Sequence, residues 1–407
     1  MMTSLMCRGH LGHPCRPRAR KIFANLAFAM AVWCASSAQP FAAQNAEFTI
    51  KAKNAIIMDA ESGAVMFQYN ADALIPPASM SKLMTIAVVF RALKMGQKTL
   101  DTELNMSEHA WRTGGAPSRT SAMMVPLNTR TKISELLRGL IVESGNDAAI
   151  ALGEGLAGSE IAFARMMQAE AQRIGLSKST FRNATGLQNA EHLMTARELA
   201  LLARFLIREY PEYYPMFSEK NFNYRNHKFI NRNPLLFMNI GADGLKTGHL
   251  AQAGYGVVGS AVQDGHRLIV VLSGLATENE RREESRKILE WGFHAFGEFK
   301  LYEAGEIIGK ASVWGGDRSS VPLIGNGEVM VVLPRFPANQ KLRAEIVYNG
   351  PLKAPVQKGD QVATLKVMSS NDATSEVPLF AGEDVVVAGK MRRGLDTIYH
   401  YATRWIP

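Results

Sequence analysis

Ser79 and Lys82 stand three residues apart in Pro76-Pro77-Ala78-Ser79-Met80-Ser81-Lys82. On a helix, positions i and i+3 share a face, so the amine would lie one turn from the hydroxyl. A lysine buried there has a lowered pKa, and its neutral form can take the proton that a serine nucleophile must lose. The same pair also reads as a helix N-cap followed by a first-turn lysine reaching for water. Ser144-Gly145-Asn146 offers a second hydroxyl and an amide between two helical segments, although Ser, Gly and Asn equally suit a helix stop and restart. Lys246-Thr247-Gly248-His249 lies on a predicted strand. A cation, a hydroxyl and a glycine that permits close approach would suit an anionic peptide laid along that edge. An edge strand blunted by a lysine is the plain alternative. Ser369-Ser370-Asn371 repeats the Ser-x-Asn pattern, but between strand-like runs, where it reads as a turn.

The elements that must hold these residues follow from the apolar pattern. Two prolines keep the approach to Ser79 extended, and a helix is expected from Ser79 to about Met95, stopped by Gly96. Leu83, Met84, Ile86, Val88, Val89 and Phe90 leave it almost no polar face, so it should be buried. Ala55–Asp59 and Ala64–Tyr69 read as a hairpin. Residues from about Asp101 to Tyr210 are mainly helical, with an amphipathic helix from Ile133 to Ile141 and another from Asp147 to Leu156. Strands return at Asp243–His249, Gly254–Val262 and His266–Gly274. The last two are joined by Asp264-Gly265, a strong two-residue hairpin signal. Glu278 to Phe296 forms a charged helix. This order predicts an α+β fold, an antiparallel sheet with strands from both ends of the domain and a helical cluster between them. After Lys300, short alternating runs separated by Gly, Pro and Asn predict a small all-β domain. The expected boundaries are 47–296 for the first domain and 300–382 for the second.

The chain has 407 residues and a net charge of +9. Arg8, Arg16, Arg18, Arg20 and Lys21 supply five of the charges within residues 1–38, which hold no acid. The other 41 basic residues face 37 acidic ones, an excess too mild for a nucleic-acid footprint. The basic stretch, the apolar run Ile22 to Cys34 and the small residues Ser36-Ser37-Ala38 predict a secretory signal over residues 1–38. All three cysteines (Cys7, Cys15 and Cys34) fall inside it, so the mature chain would have neither disulfides nor cysteine nucleophiles. Near the other end, Leu395, Ile398, Tyr399, Ala402, Trp405 and Ile406 form one stripe of a helix over 388–407. Flanking arginines suggest that it lies in a membrane surface. A terminal helix docked on its own protein fits the stripe equally well.

The three motifs occur in one direction, 65 residues from Ser79 to Ser144 and 102 from Ser144 to Lys246, each in a suitable context. Together they resemble the motif set of the penicillin-binding and serine β-lactamase superfamily. Residues 47–296 look like the D-alanyl-D-alanine carboxypeptidases in particular. The likeness is carried by Tyr69-Asn70-Ala71-Asp72, Pro77-Ala78-Ser79-Met80-Ser81-Lys82 and Ser144-Gly145-Asn146-Asp147-Ala148. Thr185-Gly186-Leu187, Thr195-Ala196-Arg197-Glu198-Leu199 and Asp243-Gly244-Leu245-Lys246-Thr247-Gly248-His249 add to it.

The resemblance implies that Ser79 is the acyl-forming nucleophile, Lys82 its base, and Ser144 a relay to the leaving amine. Asn146 would hold the peptide backbone and the Lys82 side, Lys246 the electrostatics of the cleft, and Thr247 the substrate's terminal carboxylate. The backbone N–H groups of Ser79 and His249 would form an oxyanion hole, with Gly248 beside His249 in the substrate-binding strand. Arg281 falls where the family often carries a carboxylate-binding arginine. Its neighbours Glu280, Arg282 and Glu283 read equally well as a solvated helix face, and Arg282 is a rival. His192 reads as structural. The implied partners are a peptidoglycan stem peptide, β-lactams and a membrane surface, with no nucleic acid, no metal and no other cofactor. The implied location is exported, periplasmic or peripheral at the extracytoplasmic face of the cytoplasmic membrane. A D,D-endopeptidase, a β-lactamase and an inactive wall-binding protein are the alternatives. The extra β domain and the tail favour work at a membrane-bound polymer over the β-lactamase, and the intact Ser79, Lys82, Ser144 and Lys246 argue against the inactive protein.

Overall fold

The computed structural model describes residues 48–335, 342–369 and 373–389. The expected signal segment, its cysteines and nearly all of the expected tail helix lie outside them. Five antiparallel strands form the sheet that carries the site. In spatial order they are Val65–Tyr69, Asn54–Asp59, His266–Leu275, Gly254–Gln263 and Ala242–Leu250. The first two come from the start of the domain and the other three from its end, as the element order predicted. Asp264 and Gly265 both take positive φ (48° and 84°), the conformation that an Asp-Gly turn needs. Gln263 pairs with His266 across it. Helix Glu278–Ala295 packs on this sheet through Ile288, Leu289 and Gly292, where Ile57 and Leu268 leave no room for a Cβ.

On the other side stands a helical cluster around Lys82–Lys94, whose residues are buried except Arg91 and Lys94. Asn146–Ala157, Glu160–Arg173 and Ala196–Glu209 surround it. Phe90, Phe163, Phe181, Phe217 and Tyr210 fill the space between. Ser159 and Thr195 cap two of these helices by accepting from Ala162 and Glu198. Two small hairpins in the predicted helical region and beyond it, Glu103–Asn105 with Arg130–Lys132 and Asn221–Tyr224 with His227–Ile230, were not expected. Each strand is three or four residues long, too short for alternation to register.

From Phe296 onward the chain is all β around a second core of Ala311, Val313, Val321, Leu323, Val331, Leu365 and Leu379. The strand Ser320–Ile324 escapes sequence reading because Pro322 interrupts it. The two sheets meet at one pairing, Thr374 with Val65. Trp291 closes the same junction, edge-on to Phe67 and Phe296 at 6.0 and 5.1 Å. Among the described residues no helix is long and apolar enough to cross a membrane.

Candidate active site

The prolines deliver the chain into a 3-10 turn, Ala78–Ser81, and the α-helix proper begins at Lys82 rather than at Ser79. That difference matters chemically. Side chains three apart eclipse in a 3-10 turn, and Lys82 Nζ lies 2.8 Å from Ser79 Oγ. Ala78, just before the serine, has φ +51°, a conformation unusual for a residue with a Cβ and held here by its packing. Lys82 is fully buried, and its amine also donates to the Thr185 carbonyl at 2.5 Å. Burial pushes its pKa well below the usual lysine range. The charges of Lys246 and Arg232 add to that, while Asp147 and Glu160 oppose it. The snorkelling alternative is thereby removed.

Ser144 follows a π-helical turn, Gly139–Glu143, that widens the end of the preceding helix. It takes the left-handed conformation (φ 65°), and its Oγ is buried without a hydrogen-bond partner among the described residues. Asn146 donates through Nδ2 to Thr120 Oγ1 at 2.9 Å, and its backbone N–H donates to the Ser121 carbonyl. Its Oδ1 is buried without a hydrogen-bond partner among the described residues, and the Lys82 amine meets the Thr185 carbonyl. Asp147 accepts from the backbone N–H of Met123, Val125 and Ala148 and so ties the 120–125 segment to this corner.

Lys246 is buried on the edge strand, and among the described residues its amine reaches only the Thr247 carbonyl at 3.4 Å. Burial, with Arg232 and Arg281 nearby, brings its pKa down to about 7. Thr247 is buried beside it. Gly248 lies against the serine turn, where a Cβ would come within 3.0 Å of the Pro77 carbonyl and 3.1 Å of Met80. His249 stacks on Tyr255 at 4.0 Å. Arg281 is buried with Glu278 on one side at 2.5 Å and the Tyr255 ring under it at 5.7 Å. Arg282 is exposed and faces Glu283 at 3.8 Å, so of the two rivals Arg281 is the one inside.

Ser79, Ser144, Thr247, His249 and Arg281 line one cleft of about 360 Å³. A larger groove of about 720 Å³ runs along the Glu278–Ala295 helix past Asn239, Trp291 and His294 and lacks this combination. Sequence reasoning missed Arg232, which donates to Ser121 Oγ at 2.6 Å and pairs with Glu143 at the mouth. It also missed Tyr255 and the Thr185 carbonyl. Arg232 stands in Asn231-Arg232-Asn233-Pro234, which matches none of the three motifs, and a backbone carbonyl has no signature in sequence. His192 stands buried behind this wall, edge-on to Phe181 at 5.5 Å. Burial first and then the Lys82 charge push its pKa down to about 4.

Comparison with known proteins agrees with this geometry. A family model described as D-alanyl-D-alanine carboxypeptidase matches residues 39–277. One described as the C-terminal domain of penicillin-binding protein 5 matches residues 296–387. The D-alanyl-D-alanine carboxypeptidase DacC of Escherichia coli is 36% identical, the match spanning 88% of this chain and 90% of that protein. DacA of Haemophilus influenzae is 37% identical over 84% of this chain and 86% of its own length. The crystal structure of penicillin binding protein 5 from Haemophilus influenzae aligns with a TM-score of 0.70 at 35% identity, covering 83% of this chain and 98% of that one. A match of this extent, over a cleft that joins all three motifs, means that the chain belongs to the D-alanyl-D-alanine carboxypeptidase family.

Proposed function

We propose that the protein is a serine D-alanyl-D-alanine carboxypeptidase that trims the terminal D-alanine from peptidoglycan stem pentapeptides. The observation that carries this reading is the buried Lys82 amine, 2.8 Å from the Oγ of Ser79, which lines a cleft together with Ser144 and Thr247. Neutral Lys82 takes the proton from Ser79 as Oγ attacks the carbonyl between the two D-alanines. The oxyanion that forms is stabilised by the backbone N–H groups of Ser79 and His249. Ser144, with its hydroxyl free of protein partners among the described residues, passes a proton to the leaving amine, and D-alanine departs. Water then attacks the acyl-enzyme and restores Ser79. Lys246 and Arg281 make the end of the cleft cationic, Thr247 and Arg281 receive the terminal carboxylate, and Asn146 positions the peptide. A β-lactam ring presents a similar carbonyl and carboxylate, acylates Ser79 and leaves slowly.

The chain would be exported by residues 1–38, act through residues 47–296, and be held at the membrane surface by 388–407, with 300–382 as a spacer. Deleting 388–407 is expected to release the protein from membranes while activity on a soluble peptide persists; unchanged membrane binding would overturn that assignment. For the chemistry, fluorescent penicillin should label the wild type and not Ser79→Ala, and a pentapeptide stem should yield free D-alanine. Equal labelling of the variant removes Ser79 from its role. Cleavage of cross-linked dimers in preference to stems would make the protein an endopeptidase, and fast penicillin turnover a β-lactamase.

A further inference from the structure

Lys82 has two protein acceptors among the described residues, Ser79 Oγ and the Thr185 carbonyl. The serine must be free to react, so the aim of the amine depends on the carbonyl. That carbonyl belongs to a segment without helix or strand, between Phe181 and Leu187. We propose that Asn183 is a positioning residue that holds the Thr185 carbonyl against Lys82 and so sets the direction and basicity of the catalytic amine. The proposal rests on the reading of Lys82 as the base.

One side chain closes the loop on both sides of Thr185. Asn183 Oδ1 accepts from Thr185 N–H at 3.2 Å, from Thr185 Oγ1 at 3.1 Å and from Gly186 N–H at 2.7 Å. Its Nδ2 donates to the Leu187 carbonyl at 3.1 Å. Gly186 takes φ +74°, and a Cβ there would sit 1.9 Å from the Ala78 carbonyl, so the loop bears directly on the residue before Ser79. The neighbouring peptide is fixed from outside. Ala184 N–H donates to Glu160 Oε1 at 3.0 Å, and its carbonyl accepts from Thr85 Oγ1 at 2.7 Å. Thr85 and Lys82 lie one turn apart on the same helix, so the loop is fastened to that helix at two successive points. The groups facing the amine are Ser79, the Thr185 carbonyl, the buried His192 that feels its charge, and the more distant charges of Lys246, Arg232, Asp147 and Glu160.

A carbonyl acceptor favours the ammonium form over the amine. Without it, Lys82 should lose its proton more readily and point less accurately. In the full-length protein, Asn183→Ala is expected to lower the plateau rate of penicillin acylation by on the order of tenfold. The acid limb of its pH profile should move to lower pH by about half a unit or more. Asn183→Asp keeps the three acceptor bonds and adds a negative charge, so it should retain more of the rate and move the limb upward. Loss of loop structure alone would reduce the active fraction without moving either limb, so unmoved limbs overturn the proposal whatever the rate. If Asn183→Ala does not fold, Thr85→Val, which removes only the outer clip, should give a smaller shift in the same downward direction, and no shift there also overturns it. Lys82→Arg separates the two levels. Wild-type acylation by that variant would defeat the base assignment itself. An inactive Lys82→Arg beside an unshifted Asn183→Ala would defeat only the positioning role.

Discussion

Lys246→Met should make the protein more stable and less active, and the gain should depend on pH. Lys246 is buried, with its pKa brought from the ordinary 10.5 to about 7 by burial and by Arg232 and Arg281. Below pH 7 the lysine is protonated in both the folded and the unfolded chain, and the folded state bears the whole cost of the buried charge. Between pH 7 and 10.5 only the unfolded chain keeps the proton, so stability rises with pH and the cost fades. The interval corresponds to about 5 kcal/mol. Replacing a buried ion with an apolar group of similar volume recovers about 1–4 kcal/mol of such a cost. We therefore expect a gain of about 2 kcal/mol at pH 6 and a clearly smaller one at pH 9. Urea midpoints at the two pH values measure it. Removing this cation also removes a charge that depresses Lys82, so the acid limb of penicillin acylation should move to higher pH as the rate falls. A variant less stable than wild type at pH 6, or equally stabilised at both pH values, would refute the reasoning.

Lys82→Arg keeps the charge but cannot give up a proton at accessible pH, and acylation measured by fluorescent penicillin should fall by about 10²–10⁴-fold. Arg281→Gln should raise KM for a peptide ending in a carboxylate and leave the matching carboxamide nearly unaffected. Glu278→Gln frees the Arg281 guanidinium and should lower the same KM by about threefold; steady-state release of D-alanine or D-alaninamide tests both. Gly186→Ala forces a Cβ onto the Ala78 carbonyl at a positive φ and should cost about 2–4 kcal/mol, read as a lowered urea midpoint and lost labelling.

The sheet and its buried helix were legible because their signals are local and strong. Asp264-Gly265 dictated one turn, and the run from Leu83 to Phe90, apolar except at Thr85, dictated burial on all sides. The order of the three motifs carried the cleft, since each sits where its element begins, ends or pairs. What stayed hidden depends on contacts between distant segments. Arg232 reaches Ser121 and Glu143 across 111 and 89 residues, and Lys82 reaches the Thr185 carbonyl across 103. The start of the serine helix was misplaced by three residues because a 3-10 turn and an α-turn have the same sequence preferences there. The sequence could not choose between Arg281 and Arg282; the direction in which the helix faces the cleft does.

The single rung between Val65 and Thr374 has a consequence for how such proteins change over time. Each of the two bodies has its own apolar core, and the joint adds to that rung the aromatic contacts of Trp291, the Arg335 N–H on the Ala295 carbonyl and the pair His266–Glu298. Losing the β-rich body would uncover the outer edge of Val65–Tyr69, a tryptophan face and the His266 end of the sheet, none of which lines the cleft. A lineage could therefore shorten, exchange or redesign the β-rich body without rebuilding the cleft. The size and surface of that body are then open to variation while the chemistry stays fixed.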